Sequence, residues 1–270
     1  MALKSVDHER LAAGLMGLAL GQFRARYLAG GLVLPPGFDQ AARRLEGGEP
    51  LQYILGRAPF RSLELAIGPG AFIPRPETEV VAGVAIDYLV GLPTESRLAA
   101  DLGSGAGPIA AALVTEVPGA RVWAVERAWA ALGQARANLE PLGVTVVGAD
   151  VARVGQAGGP LADLAGRFSL VVTNPPYLLP DAVLEATVAD YEPPAALFGG
   201  GVDGLETPLV FLAAAARLLR PGGAVVMEHD PSQAGALREA AGQAGFVDAK
   251  TGVDLTGRDR FLQAIRAGDG

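Results

Sequence analysis

The 270-residue chain contains no cysteine. Disulfides, thiolate metal sites and a cysteine nucleophile are thereby excluded. Histidine is nearly as scarce: His8 and His229 stand far apart, so no histidine-based metal centre is expected. Positive charge is in deficit, with 22 Lys and Arg against 29 Asp and Glu, a net charge of −7 and a pI near 5.0. That balance argues against a protein whose main task is holding nucleic-acid phosphates. No uncharged apolar run approaches the roughly 18 residues of a membrane span. The longest apolar stretch, Leu205 to Leu219, is interrupted by Glu206, Pro208 and Arg217. The N-terminus lacks the charged, apolar and small-residue order of a secretory signal. These absences predict a cytoplasmic, soluble chain with no metal and no membrane contact.

What is abundant is apolar side chain, half of all residues. That suffices for one large or two modest domains with a substantial core. The first part, to about Leu55, reads as short helices. Leu11, Leu15, Leu18 and Ala19 recur at helical spacing, Asp39 is placed to cap a helix through Leu45, and Pro50 opens another. Between Phe60 and Phe72, Leu63, Leu65 and Ile67 alternate with other residues ahead of Gly68-Pro69-Gly70, which predicts a β-hairpin. A helix follows Arg75-Pro76-Glu77-Thr78-Glu79, with Val80, Val81, Val84, Ala85, Tyr88 and Leu89 on its apolar face.

From Leu98 onward strands and helices alternate, the pattern of a parallel sheet covered on both faces. Strands are expected near Leu98–Leu102, Arg121–Val125, Val144–Gly148, Phe168–Thr173 and Ala224–Glu228, with Pro221-Gly222-Gly223 as the turn into the last. Helices are expected near Pro108–Val117, Trp129–Leu139, Leu205–Leu219 and Gln233–Gly245. Two final strands, near Phe246–Thr251 and Arg260–Ile265, complete seven as an antiparallel edge pair.

Asn174-Pro175-Pro176-Tyr177 follows the fourth of these strands. In an open α/β sheet that carboxyl edge is where ligands bind. The two prolines stiffen the backbone, so the Asn174 amide oxygen and the Pro175 carbonyl can each accept one hydrogen of a planar –NH2 group. Tyr177 can cover the face of the gripped group. A proline-rich turn that merely ends a strand is the alternative.

The partners of this tetrapeptide decide between the two. Asp101-Leu102-Gly103-Ser104-Gly105-Ala106-Gly107 links the first strand to its helix, and its glycines allow a tight turn and close approach to a ligand. A nicotinamide fingerprint needs a third glycine where Pro108 stands, and Asp101 would repel a pyrophosphate. The same carboxylate suits the α-ammonium of S-adenosylmethionine. Glu126 ends the second strand, where a carboxylate binds ribose hydroxyls. Asp150, after the third, can accept from an adenine amino group while Val151 packs on the ring; an ordinary helix cap is the alternative for Asp150. Asp101 with its glycines, Glu126, Asp150 and Asn174 thus form one set at four successive strand ends, an S-adenosylmethionine site.

With these residues in hand, the chain resembles the N5-glutamine methyltransferases that modify bacterial peptide-chain release factors, the HemK/PrmC family. Besides Asn174–Tyr177 and Asp101–Gly107, the likeness includes residues 50–56, Phe72 through Glu79, Tyr191-Glu192-Pro193, Met227-Glu228-His229 and residues 254–260. It runs from about residue 49 to 266. The resemblance implies a Rossmann-like class I S-adenosylmethionine-dependent methyltransferase fold over residues 75–270, a helical substrate-recognition domain over 1–57 and a hairpin linker over 58–74. It also implies methyl transfer to the glutamine of a Gly-Gly-Gln motif, with release factors as protein partners, no stable nucleic acid and a monomeric enzyme. Asn174, Pro175 and Tyr177 would be catalytic, with Pro176 beside them at the substrate. Phe72, Arg75 and Glu77 would line the pocket, although Pro76 and Glu77 also suit a plain helix start. Tyr191–Pro193 reads as a substrate-side loop or a structural turn, and His229 as structural. Two departures from the family pattern are Ser104 or Ala106, where a threonine is expected, and Asp230, where glycine is common. A ribosomal-protein glutamine and the amino group of a nucleic-acid base are the competing acceptors. The second would require a basic groove and a means of extracting the base.

Overall fold

The protein is seen in a computed structural model that describes residues 37–268. The helical spacing around Leu11 to Leu28 lies outside these residues. Helix α1 (Phe38–Glu46) starts after Gly37, which takes a φ of 83° at the N-cap; Asp39 lies inside the first turn instead of capping it. A carboxylate there still complements the positive end of the helix. Helix α2 (Leu51–Leu55) opens after Pro50 as expected and ends at Gly56. Phe38, Ala41 and Ala42 pack with Leu45, Leu51, Ile54 and Leu55 into a small core of their own.

The hairpin comes earlier than the sequence pattern indicates. Strands β1 (Arg57–Phe60) and β2 (Leu63–Ala66) pair from Arg57↔Ala66 to Phe60↔Leu63. Pro59 argues against a strand by its missing N–H, but a two-stranded ribbon is all edge and tolerates it. The alternation at Leu63 and Leu65 belongs to β2 alone. Helix α3 (Pro76–Val90) follows. Its buried face is Thr78, Val81, Ala82, Ala85, Ile86 and Leu89, with Val80, Val84 and Tyr88 at the margin of the same core.

Seven strands form the main sheet: β3 (Leu98–Leu102), β4 (Arg121–Glu126), β5 (Thr145–Gly148), β6 (Phe168–Thr173), β7 (Leu219–Glu228), β8 (Phe246–Val253) and β9 (Asp259–Arg266). Their order is β5-β4-β3-β6-β7-β9-β8. The first five run parallel, and β9 pairs antiparallel with both β7 and β8. The order reverses between β3 and β6, which makes that boundary the topological switch point where such sheets bind ligands. Helices α4 (Pro108–Glu116), α5 (Trp129–Leu139), α6 (Ala186–Tyr191), α7 (Glu206–Leu218) and α8 (Ala234–Gln243) complete the chain.

One strand differs from expectation. Pro221-Gly222-Gly223 is not a turn ahead of β7 but an irregularity within it, because Leu219 already pairs with Phe168 before Ala224 meets Leu170. Gly222 takes a φ of 75°, and a side chain at Gly223 would lie 2.9 Å from the Phe168 carbonyl. Glycine is thus what allows the strand to loop out and resume.

Period-two alternation divides the core between the faces of the sheet. Ala99, Leu170, Val172, Ala224 and Val226 face α3, α4 and α5; Ala100, Leu102, Val171, Val225 and Met227 face α7 and α8. Asp101 falls on the first face, beneath α4. The hairpin is fastened to this body by side chains that imitate a neighbouring strand. Asn138 of α5 accepts the Ala66 N–H and donates to the Ala66 carbonyl, both at 2.9 Å. Gln134 accepts the Gly68 N–H at 2.9 Å. At the hairpin turn, Arg61 grips Glu116 of α4 with two bonds of 2.6 and 2.7 Å. The segment leaving the hairpin is thereby led over the carboxyl ends of the strands. No helix among the described residues is long and apolar enough to cross a membrane.

Candidate active site

A cavity of about 660 Å³ opens at the switch point. Its walls include Asp101, Gly103, Ser104, Gly105, Ala106, Glu126, Asp150, Val151 and all of Asn174–Tyr177. Phe72, Arg75 and Glu77 line it from the segment above. The register explains the convergence. Leu102 pairs with Thr173, so Gly103 and Asn174 leave adjacent strands side by side. Thr173 reinforces this junction by donating its hydroxyl to the Leu102 carbonyl at 2.7 Å.

Asp101 is 1% exposed. Its Oδ2 accepts the Ala110 N–H at 3.1 Å, while Oδ1 is buried without a protein partner, as is Ser104 Oγ nearby. Burial first, and then the neighbouring charge of Glu126, push the Asp101 carboxyl up to about 7. A buried carboxylate with an orphaned oxygen on a cavity wall is complementary to a cationic donor. At Gly105, with a φ of 58°, an added Cβ would meet no atom within 4 Å, so the loop leaves open space there.

Gly107 is not among the lining residues. It sits at the N-cap of α4 with a φ of 92°, and a Cβ there would come within 2.6–2.9 Å of three Leu139 side-chain atoms. Its role is to let α4 and α5 close together. Gly107→Ala is therefore expected to cost about 1–3 kcal/mol through backbone strain and overpacking. A lowered midpoint in thermal unfolding checks this.

Glu126 is more engaged than a bare ribose ligand. Its Oε2 accepts the Gly105 N–H at 2.9 Å, and Oε1 accepts the Arg127 and Ala128 N–H groups at 2.7 Å each. One carboxylate thus ties the glycine loop to the loop after β4 and still lines the cavity. Asp150 is a cap that also lies on the cavity wall. It caps the short 3₁₀ turn Val151–Arg153 by accepting the Ala152 N–H at 2.9 Å, yet it remains half exposed at the cavity wall, with Arg127 3.6 Å away.

Around Asn174 the hydrogen bonds run in one direction. Its Nδ2 donates to Thr78 Oγ1 at 3.1 Å, and the Thr78 hydroxyl donates to Glu228 Oε2 at 2.8 Å. Tyr177 donates its O–H to Glu228 Oε1 at 3.0 Å. Among the described residues no donor reaches Asn174 Oδ1 or the Pro175 carbonyl. Burial is the main cause that holds the Tyr177 hydroxyl protonated far above its usual range, with the Glu228 charge next. Burial also pushes the Glu228 carboxyl up to about 7, against the hydroxyls of Thr78 and Tyr177 and the charge of Arg260.

Asp230, the departure from the family pattern, starts a capping box. It accepts the Ser232 N–H at 2.9 Å while Gln233 accepts the Asp230 N–H at 3.1 Å. The Gln233 amide then donates to the Tyr177 carbonyl at 2.9 Å, so this turn braces the tetrapeptide from behind.

The segment above the cavity is anchored through Arg75. Its guanidinium lies 4.6 Å over the Phe72 ring and pairs with Glu192, which is buried and also accepts the Ile73 N–H at 3.1 Å. Tyr191 donates its O–H to the Gly47 carbonyl at 3.1 Å. Tyr191–Pro193 therefore acts as a structural tie between α1 and the cavity roof. His229 is fully buried, with Nδ1 2.8 Å from the Asp230 carbonyl, and it does not line the cavity.

Thr78, Glu228 and Arg260 also line the cavity, although none was assigned a role from sequence. For Glu228 the signal was present, because it ends the fifth strand on the same edge as the other four sites. For Thr78 and Arg260 only the fold supplies it.

Comparison with known proteins adds to this geometry. The family described as Methyltransferase small domain matches residues 87–190. A release factor glutamine methyltransferase of Bifidobacterium longum is 42% identical over 234 residues, covering 84% of this chain and 78% of its own length. One from Streptomyces coelicolor is 42% identical over 272 residues, covering 97% of this chain and 90% of its own length. Among solved structures, a methyltransferase from Pyrococcus furiosus aligns with a TM-score of 0.56 at 18% identity, over 86% of this chain and all of its own, a likeness of fold.

Proposed function

The chain belongs to the release factor glutamine methyltransferases, and from that membership we propose that it methylates the N5 side-chain nitrogen of the glutamine in the Gly-Gly-Gln motif of peptide chain release factors, using S-adenosylmethionine. The observation that carries this reading is the pair of unengaged acceptors, Asn174 Oδ1 and the Pro175 carbonyl, on the wall of a cavity that also holds the orphaned Asp101 oxygen.

The residues fit the cofactor. Asp101 would take its ammonium, Glu126 its ribose hydroxyls, and Asp150 with Val151 its adenine, while the glycine loop leaves room for close approach. When bound, S-adenosylmethionine supplies an electrophilic methyl group.

The rest is the work of the chain on its substrate. An amide nitrogen is a poor nucleophile because its lone pair is delocalised into the carbonyl. Asn174 Oδ1 and the Pro175 carbonyl accept its two hydrogens and so fix the plane and direction of the nitrogen. Both oxygens carry partial negative charge, which favours the positive charge that develops on the nitrogen. Tyr177 packs on the amide plane, and Pro176 keeps the two acceptors at a fixed spacing. No strong base is required beforehand, since the nitrogen-bound proton becomes acidic only once the methyl group is in place. We assign residues 1–57 to substrate recognition, the hairpin segment 58–74 to linkage and residues 75–270 to methyl transfer by a monomer. A substrate that works in translation implies a cytoplasmic setting.

Incubation with labelled cofactor and three acceptors, a release factor, a ribosomal protein and DNA, tests the proposal. Label is expected on the release factor alone and should vanish when its Gly-Gly-Gln glutamine is replaced. Label on DNA or on the ribosomal protein alone would overturn it.

A further inference from the structure

We propose that Glu228 and Thr78 are positioning residues that set which end of the Asn174 amide faces the substrate. This inference rests on the glutamine-methylation reading above.

Thr78 has one hydroxyl hydrogen and two polar neighbours, Glu228 Oε2 at 2.8 Å and Asn174 Nδ2 at 3.1 Å. An ionised carboxylate can only accept. Its two oxygens take the hydrogens of Thr78 and Tyr177, so Thr78 can serve Asn174 only as an acceptor. The amide must then present –NH2 to Thr78 and its oxygen to the cavity. If a neutral group able to donate replaces the carboxylate, the polarity reverses. Thr78 then receives a hydrogen from position 228 and turns its own toward Asn174. The amide rotates to meet it, and –NH2 faces the cavity. Two –NH2 groups cannot hydrogen-bond to one another, so the clamp no longer holds a glutamine.

The groups around Glu228 come from three elements: Thr78 and Glu77 on α3, Tyr177 after β6, and Arg260 on β9. Arg260 is itself held by Asp254 at 3.2 Å. The two hydroxyls and Arg260 favour the charged form, while burial and Glu77 oppose it. With the carboxyl near 7, turnover at saturating cofactor and release factor is expected to fall as pH drops through neutrality, because the relay needs the anion.

Three variants test the relay on the full chain with a release factor bearing Gly-Gly-Gln. Thr78→Val and Glu228→Gln are expected to lower kcat by about 10²-fold or more. Calorimetric affinity for S-adenosylmethionine should stay within about threefold of wild type. Thr78→Ser, which keeps the hydroxyl, should restore most of the turnover. The acid limb of the kcat profile should be present in wild type and absent from Glu228→Gln. Undiminished kcat in Thr78→Val, loss of cofactor affinity in step with turnover, or an unchanged acid limb in Glu228→Gln would each overturn the relay. Failure of the wild-type protein to label the release factor would instead sink the methylation reading, so the two failures are distinguishable.

Discussion

Asn174→Ala is expected to reduce methylation of a release factor by about 10³-fold or more, while the dissociation constant for S-adenosylmethionine changes little. In the proposed clamp the substitution removes one of two acceptors for the glutamine nitrogen, so both its orientation and the stabilisation of its developing charge would be lost. The cofactor contacts assigned to Asp101, Glu126 and Asp150 are on other strands and remain. A small cost in stability accompanies the change, because Thr78 Oγ1 loses the donor now 3.1 Å away. Single-turnover methylation set beside calorimetry separates the two quantities. If affinity falls as steeply as turnover, Asn174 builds the cofactor pocket and the clamp assignment is wrong.

Asp101→Asn should act in the opposite sense on two observables. Cofactor affinity should fall by about 100-fold, since a buried cationic group loses its counter-charge. The ligand-free protein, in contrast, should become more stable at alkaline pH. The folded state raises the Asp101 carboxyl from 3.8 to about 7. Its contribution is therefore fully present below 3.8, declines as pH rises toward 7 and is lost above that. Asparagine keeps an acceptor for the Ala110 N–H but never ionises, so it escapes the decline. Each pKa unit corresponds to about 1.4 kcal/mol, so the rise from 3.8 to about 7 puts the gain on the order of 4 kcal/mol. Thermal unfolding of both proteins at pH 5 and pH 8 should show a gap that widens at pH 8. A gap of equal size at both values would mean that Asp101 is not held above its ordinary range.

Much of this site is legible in the sequence because the chemistry is written at strand ends. Asp101, Glu126, Asp150 and Asn174 each follow an apolar run that is visible on its own, and a parallel α/β sheet brings those ends to one edge. The limits of β6 and α5 match the expected ones: a buried strand leaves little latitude, and Pro141 stands just past the end of the helix. What escapes is whatever depends on distant partners. Nothing local to Thr78 reveals that its hydroxyl lies between residues 174 and 228. Gly107 belongs to a ligand loop by its spacing, yet its neighbour is Leu139 on another helix. Asp39 has the chemistry of a cap, but Gly37 two residues earlier takes the position. The bulge at Pro221-Gly222-Gly223 reads as a simple turn until Leu219 is seen to pair with Phe168. Nor does the sequence show that Glu126 and Asp150 each satisfy backbone N–H groups while lining the cavity.

The pairing of β3 with β6 also bears on how the molecule comes into being. The Thr173 hydroxyl reaches the Leu102 carbonyl across 71 residues, and Thr78 reaches Glu228 across 150. Contacts so distant along the chain close late, after the loop entropy between them has been overcome. A nascent chain that has emerged only through the turn after β5 already carries Asp101, Glu126 and Asp150, but the tetrapeptide has no strand to project from and Thr78 has no carboxylate to meet. Amide selection thus matures last, with the arrival of β6 and β7, so the unfinished protein has no means of marking a glutamine.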